Sequence, residues 1–132
     1  PSNSSAASDV YKRQDVVISD EAVLYPYIVT PTILVAMSQA AYDKYHPVKR
    51  GDTLVIIDRD LVKPGGRNGG RLLRMPARQI AEGLGRVAVA NVAMLGFLTA
   101  TTGVVSADAM KKSVVRMDWD SLRAKERSGC TI

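Results

Sequence analysis

TILVAMSQAAYDKYHPVKRGDTLVIID, residues 32–58, is the stretch whose reading decides the fold. It holds two apolar runs, TILVAM at 32–37 and TLVIID at 53–58, each of strand length and without polar alternation. A strand of that kind is covered on both faces, as happens in parallel sheets between helix layers. Between the runs, Ser38 can cap a helix through SQAAYDKYHPVK, which Pro47 breaks and Gly51 ends. Strand, helix and strand at this spacing make a βαβ unit, with parallel strands and a right-handed crossover. The expected class is therefore α/β.

On the N-terminal side, VVIS at 16–19 is a short β-branched run between Asp15 and Asp20 and predicts another strand. Pro26 and Pro31 bracket YIVT in an extended connection, because the residue before a proline is steered away from helix. The first fourteen residues, PSNSSAASDVYKRQ, are Ser/Ala-rich, aperiodic and without the apolar core of a signal peptide. They resemble translated sequencing-adaptor DNA, and residues 1–14 are expected to be a non-native or disordered arm.

On the C-terminal side comes RDLVKPGGRNGGR, a glycine-rich basic loop that matches neither GxxxxGK[ST] nor GxGxxG after a strand. RLLRMP at 71–76 predicts a short strand, and residues 77–85 a helix with Ile80 and Leu84 on one face and glycine at its end. Within residues 86–110, the run between Arg86 and Asp108 is the longest uncharged stretch of the chain, rich in Ala, Gly and Thr. Spacing puts Ala88, Val92, Leu95 and Thr99 on one face, with Ala93, Gly96 and Ala100 on a second, thinner one. A helix apolar all round belongs in a core, an interface or a bilayer. The glycine and threonines argue against a bilayer. Gly103 can stop this helix, and Ser106 can cap the next, with Asp108 in its first turn. Residues 118–132 read as a polar tail, a helix fraying toward Gly129.

The chain has 132 residues, 46% of them hydrophobic and 23% charged, which suits one globular domain. One cysteine, Cys130, makes no internal disulfide and no zinc or cluster ligand set, and the cytoplasm is the expected compartment. The net charge of +5 comes with 5% aromatics and no nucleic-acid-binding motif, so a solvated basic face is expected rather than nucleic-acid binding.

Five motifs in order then point the same way: DVVISDE at 15–21, TPTILVAMSQAAYDKY at 30–45, GDTLVIID with DLVKP at 51–64, MPARQIAEGLG at 75–85 and ANVAMLGFLTATTGVVS at 90–106. Together they resemble the gamma subunit of the 2-oxoacid:ferredoxin oxidoreductases, a pyruvate/ketoisovalerate oxidoreductase catalytic-domain family, and most of all its 2-oxoglutarate and pyruvate members. The resemblance implies a three-layer, mostly parallel, Rossmann-like sheet over residues 15–117. It also implies a subunit of an enzyme that oxidatively decarboxylates a 2-oxoacid to its acyl-CoA and passes electrons to ferredoxin. In such enzymes thiamine diphosphate, iron–sulfur clusters and coenzyme A are handled by the complex, mainly through thiamine-binding and ferredoxin-like partner subunits. This chain would support assembly and active-site closure without binding those cofactors alone. The family's opening strand and GxGGQG-like turn do not precede DVVISDE here, so the sheet is expected to be incomplete at its N-terminus. The VPxGT-like turn expected after Arg116 is missing too.

In an open parallel sheet, ligands gather at the carboxyl ends of strands. That edge would present Ser19, Ser38, Gln39 and Asp58 as cofactor-facing contacts, each with an ordinary cap or turn role as the plainer reading. No catalytic or metal-ligating residue is expected. His46, the one histidine, has no sequence-linked nucleophile or carboxylate and reads as a surface residue; Asn91 inside the small-residue helix would be a buried amide in need of partners. The alternative function is a free-standing phosphate- or nucleotide-binding module using the loop at 63–71. With part of the sheet missing, the chain made alone is expected to expose apolar area near Ala93, Gly96 and Ala100 and to associate.

Overall fold

Three parallel strands form one sheet in the order β1-β2-β3, with β1 at Ile33–Ala36, β2 at Leu54–Asp58 and β3 at Arg71–Met75. This is seen in a computed structural model that describes residues 13–25, 27–48, 51–66 and 70–127, the side chains of Val48 and of residues 118–127 excepted. Helix α1, Gln39–Tyr45, connects β1 to β2 and completes the βαβ unit read from residues 32–58. The chain divides between Pro76 and Ala77 into two compact units. The first holds the sheet and α1. The second holds α2 (Ala77–Gly83), α3 (Ala90–Thr102) and α4 (Ala107–Arg127).

The first unit is organised by β2, whose five residues LVIID are all buried. Register pairs Leu34 with Val55 and Val55 with Leu72, then Ala36 with Ile57. Paired residues share a face, and this face carries the core of Ala36, Tyr42, Val55, Ile57 and Val62, with Leu34, Leu61 and Leu72 packed against it. The aromatic ring of α1 therefore sits on the sheet through Tyr42. Leu54 and Ile56 alternate onto the opposite face and are buried there as well. Upstream of β2, the Thr53 hydroxyl donates to the Pro31 carbonyl at 2.8 Å and the Leu54 amide to that of Thr32 at 2.9 Å, which sets the register.

Two expectations for this unit need correction. Residues 15–25 form no strand: Val16, Val17 and Ile18 are exposed and make no ladder bonds with any described residue. β-branched composition favours an extended chain, but a strand also needs a neighbour to accept its backbone hydrogen bonds. The run at 32–37 is likewise not covered on both faces, since Val35 on β1 is 36% exposed. β1 pairs on one side only, and an edge strand gets less cover than the central β2.

In the second unit, α2 buries Ala77 and Ala81, while Ile80 and Leu84, the pair expected to form its apolar face, are exposed. Gly85 follows in the left-handed region at φ 74°, and the Arg86 amide returns to the Ala81 carbonyl at 3.0 Å. A turn of 3-10 helix at Val87–Val89 then leads into α3, so Ala88 lies outside the α-helix on which it was expected. The buried residues of α3 are Ala90, Met94 and Thr99, with Val92 and Gly96 left exposed. Of the expected face, Thr99 is buried and Leu95 half-buried while Val92 is exposed, so the weak periodicity of small residues located the face only in part. Gly96 and Ala100 are exposed and Ala93 is half-buried, so open apolar surface does occur near these three.

The threonines of α3 satisfy themselves. Thr99, Thr101 and Thr102 donate to the carbonyls of Leu95, Phe97 and Leu98 at 2.9, 2.7 and 2.6 Å, one turn back along the helix. Gly103, at φ 63°, ends the helix, its amide bonded to the Thr99 carbonyl. Ser106 then caps α4, accepting from the Ala109 amide at 3.2 Å, with Asp108 in the first turn. Asn91 is exposed, and its carbonyl oxygen accepts from the Val92 amide at 2.8 Å. The expected buried amide is thus a local backbone contact near a helix start, where amides lack partners in the helix. No helix among the described residues is long and apolar enough to cross a membrane.

Two outcomes follow for the first unit. Ile57→Ala, at a site with no exposed surface, should cost about 3 kcal/mol in urea-unfolding stability, because the surrounding sheet cannot collapse onto the cavity. Burial, helped by the Asp43 charge and opposed by Arg74, raises the Tyr42 phenol above its ordinary value of 10.0. Its neutral form is favoured in the fold, so this contribution is complete below pH 10.0 and is lost as pH rises through the raised value. Tyr42→Phe should flatten the alkaline fall in stability measured by urea titration across that window.

Candidate functional site

The carboxyl edge of the sheet is where β1 gives way to α1 and β2 to the turn at 58–62. Ser38 stands between Ala36 and the helix in an extended conformation, φ −143° and ψ 152°, with its hydroxyl oxygen accepting from the Ala41 amide at 3.2 Å. This is an N-cap, satisfying an amide that the first helical turn leaves over. Its oxygen being an acceptor, the hydroxyl hydrogen remains available to a ligand. Ser38 bonds a backbone amide rather than a histidine or carboxylate, so this contact does not activate it as a nucleophile.

Gln39, the next residue, reaches across the edge. Its carbonyl oxygen accepts from the Lys63 amide at 2.7 Å, and its amide nitrogen donates to the Lys63 carbonyl at 3.3 Å and to the Asp43 carboxylate at 2.9 Å. The side chain therefore pairs with both backbone groups of Lys63, much as a neighbouring peptide would. It fixes the start of the glycine-rich loop against the first turn of α1.

Asp58 closes β2 with no exposed surface. Its carboxylate accepts from the Asp60 amide at 2.9 Å, its carbonyl accepts from the Val62 amide at 2.9 Å, and the following Arg59 amide reaches the Met75 carbonyl at 3.1 Å. These bonds turn the chain sharply after β2 while keeping it attached to β3. The structure thus brings Ser38, Gln39 and Asp58 to one edge. It does not bring Ser19, whose hydroxyl accepts from the Glu21 amide at 3.0 Å in an exposed segment without a strand to end.

Sequence reasoning missed the roles of Asp43 and the Lys63 backbone, although the one-turn spacing of Gln39 and Asp43 was readable. It also placed His46 at the surface. His46 is half-buried, its ring 4.5 Å from that of Tyr42 at an interplanar angle of 31°. Arg13 makes two contacts with Asp15, at 2.9 and 2.7 Å, and lies 4.9 Å over the Tyr45 ring.

Among the described residues, no group of three or more His, Cys, Asp or Glu could hold a metal ion. The reading of residues 1–12, the connection at Pro26, the middle of the glycine-rich loop at 67–69, and Gly129 and Cys130 lie outside the described residues.

With a parallel α/β edge of this geometry in place, similarity to known proteins becomes informative. The sequence model for pyruvate ferredoxin/flavodoxin oxidoreductase matches residues 4–118. The chain belongs to the pyruvate ferredoxin/flavodoxin oxidoreductase family. Within it, the chain is 38% identical over 106 residues to the 2-oxoglutarate synthase subunit KorC of Methanocaldococcus jannaschii, covering 78% of this chain and 57% of the relative. The KorC subunit of Methanothermobacter marburgensis is 41% identical over 110 residues, covering 77% of this chain and 59% of that protein. This member of the family thus spans less than two thirds of the curated relatives it matches. Among solved structures, it resembles the gamma subunit of a keto/oxoacid ferredoxin oxidoreductase from Geobacter sulfurreducens, with 32% identity and a TM-score of 0.60. That match covers 64% of this chain and 51% of the other.

Removing the Gln39 amide should release Lys63. In Gln39→Ala, hydrogen exchange at the Lys63 amide is expected to speed up about tenfold, the loss of roughly one to two net hydrogen bonds. Gln39→Glu keeps the acceptor but sets a carboxylate against Asp43 and the Lys63 carbonyl, so it should protect Lys63 less well than the natural residue.

Proposed function

We propose that this chain is part of a gamma-type subunit of a 2-oxoacid:ferredoxin oxidoreductase whose substrate is 2-oxoglutarate. The observation that carries the reading is similarity over three quarters of the chain to subunits named for 2-oxoglutarate synthase in two organisms. The reaction joins 2-oxoglutarate and coenzyme A, giving succinyl-CoA and carbon dioxide. The two electrons released pass one at a time to two oxidised ferredoxins, and one proton is set free.

Thiamine diphosphate and iron–sulfur clusters belong to the complex in this reading, carried mainly by thiamine-binding and ferredoxin-like partners. This chain contributes a shaped edge. Ser38 offers a hydroxyl hydrogen, and Gln39 holds Lys63 at the start of the glycine-rich loop beside it. The role supported is to close and shape a site completed by other subunits, in the cytoplasm where coenzyme A and reduced ferredoxin are used.

The test is reconstitution of the full-length protein with its partner subunits, following reduction of ferredoxin or a viologen dye with 2-oxoglutarate and coenzyme A. Leaving this subunit out should abolish the reaction, and pyruvate should replace 2-oxoglutarate poorly. A stable lone monomer whose omission leaves the activity of the others intact would refute the proposal.

A further inference from the structure

We draw no further inference here: the strongest candidate, the apolar groove between α3 and α4 with Lys111, Lys112 and Arg116 along one rim, carries nothing, because nothing in the structure shows what covers it.

Discussion

Burial of β2 on both faces is the constraint on which the sheet unit depends. LVIID has no solvent side, so each of its side chains needs cover and each of its backbone groups needs a ladder partner. β1 and β3 supply the partners in parallel register, and parallel pairing requires a crossover rather than a hairpin. α1 is that crossover, and Tyr42 covers one face of β2 from it. The position of the candidate site follows, because the carboxyl ends of β1 and β2 then lie side by side with the start of α1 between them.

What could be read from the chain reflects how strongly each interaction is written locally. The two continuous apolar runs, the Ser38 cap and the glycine stop at Gly103 depend on neighbours a few residues away, and each is visible in the sequence. The strand expected at 16–19 failed because a ladder partner is not a local property. Val16, Val17 and Ile18 carry the composition of a strand, but no described strand lies beside them. The face of α2 was misread and that of α3 was read in part, for a related reason. Alanine, glycine and threonine differ little in hydrophobicity, so the period leaves open which side turns inward, and packing chose Ala77 and Ala81 on α2 and Ala90 and Met94 beside the expected Thr99 on α3.

The placement of three of the four expected edge residues was legible. Ser38, Gln39 and Asp58 stand at the carboxyl ends of β1 and β2, where the rule for parallel strands puts ligand-facing residues, and Ser19 has no strand to end. The sequence could not show that Gln39 spends both ends of its amide on Lys63, a residue 24 positions away. Nor could it show that the rings of Tyr42 and His46 meet, tilted, at 4.5 Å. Family membership, by contrast, was readable from ordered motifs, and the parallel sheet agrees with it.

The bond pair between Gln39 and Lys63 also changes what kind of loop follows β2. Pinning Lys63 shortens the free tether between β2 and β3, yet chain-closure entropy varies only with the logarithm of tether length. The gain is a few tenths of a kcal/mol. The contact therefore matters for direction more than for stability. It sets the angle at which a glycine-rich, basic segment leaves the sheet, so α1, a helix of seven residues, aims a loop that belongs to the next strand.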